Sequence, residues 1–209
     1  MLLAGCPQCA EPVRETESGC ECPAHGWVTP LWRPQEATYD AFIEHLARTG
    51  DFPTLLPWPL GSGWQISDFG VVAAPDQAPT ATVACCSGMS ELDGAVDVLI
   101  VSEEPGTGLG PRVARLERSY PPGAGDGPPA ARVRLGRATA PLWTISTSRA
   151  DAELDRTVLV GEAEGRWLWL VLYPASAVLL LRDDWILRDV GGVGAVLIEM
   201  TFGGTPPRW

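Results

Sequence analysis

Two similar phrases stand near the start of the chain, CPQCA at residues 6–10 and CPAHG at residues 22–26. Each phrase places two possible metal ligands three positions apart in a turn that a proline stiffens. Twelve residues lie between the last ligand of the first phrase and the first ligand of the second. Zinc is typically bound by four thiolate or imidazole ligands in a tetrahedron. The spacing therefore predicts a zinc ribbon with four ligands, Cys6, Cys9, Cys22 and His25.

Cys20 competes with Cys22 for the third ligand position. We rank it second because Cys22 and His25 repeat the three-residue step of the first phrase, whereas Cys20 and His25 are five positions apart. Four protein ligands leave no coordination position open for water, so we expect a structural zinc and not a catalytic one. A thioredoxin-like redox motif is disfavoured because the sequence predicts no strand before the first phrase and no helix after it.

The composition argues against a nucleic-acid partner. The 209 residues include 26 Asp and Glu against 15 basic residues, so the net charge is −11. Such a surface repels phosphate backbones. Residues 1–34 follow the same trend, with four glutamates and two arginines. We therefore expect the ribbon to contact another protein or to act as a structural staple.

The chain carries no recognisable targeting segment. LAGC at residues 3–6 matches a bacterial lipobox, but too few residues precede it to form a basic start and an apolar run. The most apolar stretch, residues 167–181, is interrupted by Pro174 and is too short to span a bilayer. We therefore expect a cytoplasmic protein without membrane contact, in which the six cysteines are thiols or metal ligands.

The second half of the ribbon, residues 26–32, predicts one strand. Beyond the ribbon, residues 35–209 predict a domain of the α+β class. Apolar residues at helical spacing predict a helix over residues 36–49, and a short second helix is expected at 111–118. The rest is β-rich and mainly antiparallel, with a hairpin turn at 164–166 and a central strand, buried on both faces, at 167–173. The other predicted strands are 64–73, 80–86, 95–101, 131–135, 142–147, 157–163, 177–181 and 195–200.

A few other features were weighed as sites. The turn Gly106–Gly110 stands between a strand and a helix, where phosphate-binding loops occur, and Arg112 could offset the charge of Glu103 and Glu104. The phrase matches no phosphate-binding motif, so a flexible turn is favoured. Asp183-Asp184 and Glu103-Glu104 are not dyads, because neighbours on a strand point to opposite faces.

The chain lacks material for the familiar hydrolytic triads. It has two histidines, and since His25 is assigned to metal, His45 is the remaining candidate base. Cys85 and Cys86 lie in an apolar stretch that predicts core packing. Four of the nine tryptophans stand near the ribbon and were expected to attach it to the main domain: Trp27, Trp32, Trp58 and Trp64.

Five phrases spread along the chain carry a resemblance to a known family: residues 6–9, 25–31, 57–64, 103–110 and 161–169. Together they resemble an actinobacterial domain-of-unknown-function family with an N-terminal zinc-ribbon-like segment. The absence of lysine among the 15 basic residues agrees with a GC-rich genome. The resemblance implies a cytoplasmic protein and carries no activity, so no catalytic residue is transferred. Ala10 and Cys20 depart from the family pattern, which favours Cys22 as the ligand.

These observations lead to three hypotheses. The first is a non-enzymatic zinc protein that binds another protein or regulates it, with a ribbon over residues 1–34. The second is an enzyme or a binder of small molecules or anions that uses the Gly106–Gly110 turn. The third is a redox-sensitive zinc switch in which Cys20 acts as the resolving thiol beside Cys22.

Overall fold

The computed structural model describes residues 1–16, 19–75, 77–116, 121, 124–145, 155–183, 185–194, 199–205 and 208–209. The strands of the N-terminal part are β1 Leu2–Gly5, β2 Arg14–Thr16, β3 Gly19–Cys22, β4 Gly26–Val28, β5 Leu31–Pro34 and β6 Leu55–Pro57. The later strands are β7 Gln65–Val72, β8 Ala81–Ser90, β9 Gly94–Glu103, β10 Ala131–Leu135, β11 Ala138–Ile145, β12 Thr157–Ala163, β13 Arg166–Tyr173 and β14 Ile186–Asp189. The helices are α1 Tyr39–Thr49, α2 Leu109–Val113 and a 3-10 helix, Ala175–Asp183.

Eleven of these strands form one large sheet in the order β1-β5-β7-β8-β9-β13-β12-β11-β10-β14-β6. The neighbouring strands run antiparallel except for β10 and β14, which run parallel. A second sheet of three strands, β2-β3-β4, belongs to the ribbon. The predicted α+β class, with a β-rich and mainly antiparallel main body, a Cys-rich N-terminal segment and few helices, is confirmed.

Strand β13 lies between β9 and β12 and is buried on both faces, as its unbroken apolar run predicted. Trp169 and Val171 pack into one core cluster. Leu168, Leu170 and Leu172 pack into the cluster on the opposite face. The hairpin that leads into β13 turns at Glu164 and Gly165, whose φ angles are 55° and 80°. Two successive positive φ angles are typical of the tight turn that suits two antiparallel strands.

The predicted ribbon is joined to the large sheet at both ends. β1 pairs with β5, and β5 pairs in turn with β7. The strands on either side of the metal phrases, β1 and β5, are therefore the two outermost strands at one end of the large sheet, and β2–β4 between them form the separate small sheet. The single strand expected over residues 26–32 is divided into β4 and β5.

Helix α1 begins later than predicted because the Thr38 side chain caps it, with its Oγ1 accepting from the Ala41 N–H at 3.2 Å. The buried face also differs from the predicted one. Phe42 is fully buried as expected, but Ile43 is 40% exposed. His45 is buried where apolar spacing alone predicted Ile43, and its ring packs against Phe69. The buried face of the helix is therefore shifted from the predicted one.

Three other expectations differ from the structure. The strand predicted at 177–181 is wrong, because this segment belongs to the 3-10 helix, which buries Ala177 and Leu181 on one side. Helix α2 ends earlier than expected, and residues 117–118 lie outside the described residues. The strand expected at 195–200 falls mostly on residues 195–198, which also lie outside them.

Candidate metal centre

The two metal phrases lie in turns that are closed at their base. The first phrase follows β1, and a bridge between Gly5 and Pro12 closes the loop that contains it. The second phrase connects β3 to β4, where Cys22 pairs with Gly26. Gly26 has a φ of 67°, a left-handed conformation that glycine adopts without strain. Backbone pairing therefore holds each pair of ligands in a fixed turn.

The structure brings the four predicted ligands together. The ligand atoms of Cys6, Cys9, Cys22 and His25 all lie within 4.8 Å of one another. His25 Nδ1 lies 3.6 Å from the Sγ atoms of both Cys6 and Cys22. The Sγ atoms of Cys9 and Cys22 are also 3.6 Å apart. These four residues are arranged so that they could hold a metal ion.

The distances agree with one particular coordination geometry. Zinc bonds of about 2.3 Å to sulfur and about 2.0–2.1 Å to nitrogen, at tetrahedral angles, imply sulfur–nitrogen edges of about 3.5 Å and sulfur–sulfur edges of about 3.8 Å. Three of the six edges of the cluster are 3.6 Å long, and all six are at most 4.8 Å. The Gln8 N–H also points at Cys6 Sγ, at 3.4 Å, as expected for a turn that stabilises a thiolate.

The thiols of the cluster differ in acidity. Burial opposes ionisation of Cys22, but hydrogen bonds from His25 and from the backbone around Ala24 outweigh it and lower the pKa of Cys22 to about 6. Burial raises the pKa of Cys6 to about 11. A metal ion binds thiolates, so its binding releases the protons that remain on such thiols. Cys6 and Cys22 are buried, Cys9 is half-buried and His25 is exposed, so two of the three sulfur atoms are shielded from water.

Cys20 lies outside the cluster. It pairs with Val28 on β4, two positions along β3 from Cys22, which places it about 6–7 Å further from the turn. Cys20 is 7% exposed, and burial together with the charge of Glu15 raises the pKa of its thiol. A buried thiol that resists ionisation is poorly suited to act as a resolving thiol.

The metal centre is tied to the main sheet by contacts that the sequence did not reveal. Arg112 on α2 donates a hydrogen bond to the carbonyl oxygen of Cys6. The guanidinium groups of Arg112 and Arg33 lie 4.8 Å and 4.1 Å from the ring centroid of Trp209. Trp209 in turn donates its indole N–H to Asp68 at 3.0 Å, and Arg33 forms an ion pair with the same carboxylate at 2.6 Å. One cluster therefore links the first metal phrase, α2, β5, β7 and the last residue.

A comparison with known families identifies the chain at the level of family. A model of the family of unknown function DUF6758 matches residues 3–209. The chain belongs to DUF6758. No curated protein and no solved structure matches it.

The glycine-rich turn of this DUF6758 chain already holds an anion of its own. The backbone N–H groups of Leu109 and Gly110, at the start of α2, donate to Oε2 of Glu103 at 2.8 and 3.1 Å. Glu103 is 2% exposed, and burial raises its pKa although these hydrogen bonds oppose the shift. The position that a phosphate would take is therefore filled by a carboxylate. Arg112, expected to balance the charge, is bound to the Cys6 carbonyl instead.

Other residues considered from the sequence are distant from the metal centre or inert. Glu104 forms an ion pair with Arg166 at 2.9 Å, away from buried Glu103, so the two glutamates are not a dyad. His45 is fully buried between Phe42 and Phe69, and burial lowers its pKa to about 3. Cys85 and Cys86 are also fully buried, and burial raises the pKa of both thiols. Asp184 lies outside the described residues.

The tryptophans expected to attach the ribbon divide into three groups. Trp32 attaches the ribbon to the main domain, because its indole N–H donates to the Ala73 carbonyl at 2.9 Å. Trp27 on β4 is 60% exposed. Trp58 and Trp64 line a separate cavity. In the described ranges, no helix combines the length and the apolar character needed to cross a membrane.

Proposed function

We propose that Cys6, Cys9, Cys22 and His25 bind one structural zinc ion. This proposal rests on one observation: the four ligand atoms form a compact cluster in which three of the pairs are each 3.6 Å apart. Three thiolates and one imidazole form a donor set typical of structural zinc. With four protein ligands, no position remains for a reacting water, so the ion stabilises the ribbon and does not act on a substrate.

The ribbon depends on such an ion because it has little apolar core. All three residues of β2 are exposed, and the buried side chains of β3 are Cys20 and Cys22. Zinc binding contributes about 10–16 kcal/mol in comparable small domains, which exceeds what so few buried apolar groups supply. Ligation by thiolates also suits a reducing compartment, in keeping with the cytoplasmic location that we propose.

The direct test is metal content. We expect one zinc ion per chain by elemental analysis after expression in zinc-supplemented medium. Cys9→Ser should lower the content and the affinity, whereas Cys20→Ser is the matched control and should leave both unchanged. A wild-type protein without zinc, or a loss of zinc in Cys20→Ser equal to that in Cys9→Ser, would contradict the ligand assignment.

We further propose that the ribbon presents a surface to another protein and that the role of the chain is binding or regulation. Exposed Trp27 borders a cavity of about 640 Å³ that lies between the ribbon and the edge of the main sheet. Its walls include Trp32, Pro30 and Pro75. Exposed tryptophan is enriched at the centres of protein interfaces, which supports a partner at this position.

Affinity capture from the native host tests this second proposal. Wild-type protein and Trp27→Ala are compared with Leu92→Ala, which removes another exposed apolar residue, 83% exposed, on the β8–β9 turn. We expect proteins captured by the wild type and by Leu92→Ala to be lost with Trp27→Ala. Identical capture by all three proteins would show that the ribbon does not form the partner surface.

A further inference from the structure

A second cavity, of about 360 Å³, shares no lining residue with the first and is walled in part by three tryptophans, Trp58, Trp64 and Trp185. Trp58 follows β6 directly, and Trp64 and Trp185 each stand one residue before a strand, β7 and β14 respectively. Pro59 and Leu180 complete much of the remaining wall. The volume falls within the range of cavities that hold small ligands.

The backbone holds these tryptophans in place. The Trp58 N–H donates to the Ile186 carbonyl at 2.8 Å, next to Trp185. The Trp64 carbonyl accepts from Thr201 Oγ1 at 2.7 Å. The Trp64 ring also lies directly on Gly88, where any Cβ would overlap it. The aromatic walls are therefore present before a ligand binds, which lowers the entropic cost of binding.

The part of the wall that the structure describes is uncharged. None of its described residues is acidic or basic, and within the described residues the three indole nitrogens donate no hydrogen bond. Arg188 lies over Trp58, with its guanidinium carbon 4.9 Å from the ring centroid, but it does not line the cavity. The chain as a whole carries a net charge of −11, so its field attracts cations.

The chemistry of the wall selects among cations. Tryptophan faces attract cations more strongly than other aromatic rings. An ordinary ammonium or guanidinium group has N–H donors, and burying them without acceptors is costly. A quaternary ammonium group has no N–H, so it needs no acceptor from lining side chains that offer none. Its attraction to the rings is then gained without that cost.

We propose that the cavity walled by Trp58, Trp64 and Trp185 binds a quaternary ammonium group. The group could belong to a free trimethylammonium compound or to a trimethylated lysine side chain of another protein. The chemistry recognised is the same in both cases. This proposal does not depend on the zinc centre.

The first experiment titrates the full-length, zinc-loaded protein with choline and with its uncharged isostere, 3,3-dimethylbutan-1-ol, at constant ionic strength. The two compounds share shape and hydroxyl group and differ in charge, and binding is followed by tryptophan fluorescence and by the indole N–H signals in NMR spectra. We expect choline to bind at least about tenfold more tightly, because only the charged compound gains cation–π attraction to the indole rings. Equal affinities, or no choline binding up to about 100 mM, would overturn the proposal.

Two variants test where binding occurs. Trp58→Leu and Trp185→Leu keep an apolar wall and remove one aromatic face each, and we expect each to weaken choline binding about tenfold or more. Trp27→Leu on the ribbon is the matched control and should bind as the wild type does. Thermal unfolding of each variant checks that it is folded. If either folded cavity variant retains full affinity, or if Trp27→Leu loses affinity, the cavity is not the site.

A last comparison distinguishes the two sources of the group. A peptide with one trimethylated lysine is titrated beside the same peptide with unmodified lysine. Tighter binding of the methylated peptide than of choline indicates a protein ligand, and tighter binding of choline indicates a free compound. If the unmodified peptide binds as well as the methylated one and choline does not bind, the quaternary ammonium assignment is wrong.

Discussion

The centre of the large sheet and the N-terminal ribbon are stabilised by different interactions. In β13, the five residues from 168 to 172 are all at most 1% exposed, so this strand is stabilised by apolar burial on both faces. In the ribbon, β2 is entirely exposed, and Trp27 on β4 is 60% exposed. The described side chains that meet in its centre are three thiols and an imidazole. Apolar burial thus stabilises the large sheet, and the metal binding that we propose would stabilise a separate part of the chain.

Because their stabilising interactions differ, we expect that the large sheet and the ribbon can be perturbed separately. Apolar burial contributes about 25 cal/mol per Å² and needs several layers of side chains. Coordination of one ion supplies a comparable free energy through four atoms. A change at the metal should therefore affect β2–β4 first, and a change in β13 should affect the large sheet first.

Removal of the metal is expected to have the largest effect. A strong chelator should withdraw about 10 kcal/mol from the ribbon, which then unfolds over β2–β4. β1 and β5 should remain folded because they pair within the large sheet. Hydrogen exchange checks this: the amides of β3 should lose protection and those of β13 should keep it. Loss of protection in β13 at the same rate would show that the two regions are not separable.

A truncation in β13 should reverse the pattern. Leu170→Ala removes a fully buried side chain between β9 and β12 and should destabilise the main sheet by about 2–5 kcal/mol. Urea unfolding measures the loss, and zinc affinity should stay unchanged. Leu179→Ala, at a position that is 41% exposed, is the control and should cost well under 1 kcal/mol. A fall in zinc affinity in Leu170→Ala would contradict the separation.

Acid should destabilise the main body through His45. Burial lowers the pKa of His45 to about 3 in the folded state, whereas an unfolded chain takes up the proton at about pH 6.5. The unfolded state therefore binds more protons between about pH 6.5 and 3, and stability falls as the pH falls through this window. From pH 7 to 5 the loss is about 2 kcal/mol.

His45→Gln isolates this contribution. Glutamine retains a group that can hydrogen-bond to Thr54, whose Oγ1 lies 3.0 Å from His45 Nε2. The urea concentration at the midpoint of unfolding should therefore change less between pH 7 and pH 5 in the variant than in the wild type. The same pH dependence in both proteins would exclude His45 as the cause.

The smallest effect is expected where the two regions meet. Arg112→Gln removes the guanidinium that bonds to the Cys6 carbonyl and stacks on Trp209. Groups that orient metal ligands typically contribute tenfold or more to affinity, so we expect zinc to bind about tenfold more weakly. A competitive chelator titration measures this. Arg132→Gln, on an exposed position of β10, is the control; if both variants bind zinc equally well, the contact does not support the metal centre.

Local features of the sequence predicted the parts of the structure that depend on local interactions. The two cysteine phrases identified the four residues that meet, because each turn fixes its own pair of ligands. The apolar run at residues 167–173 identified the buried central strand. The predicted hairpin at 164–166 required only a glycine in a short polar turn.

Features that depend on distant residues could not be predicted in this way. The contact of Arg112 with Cys6 joins positions 106 residues apart, and that of Trp209 with Asp68 joins positions 141 apart. The sequence placed Glu103 close to the glycine-rich turn, but only the fold shows that its carboxylate caps α2. β6 and β14 were missed because three or four residues carry too little periodicity.

The pairing of β6 with β14 also has a consequence for how the chain is made. Leu55 pairs with Asp189, and the Asp189 side chain also accepts from the Thr54 N–H, 135 positions away. At translation rates of about 5–20 residues per second, about 7–27 s pass between the synthesis of the two strands. During that interval β6 has no partner strand and its apolar residues are open to other chains. Expression at low temperature or with added chaperones should therefore raise the yield of soluble protein.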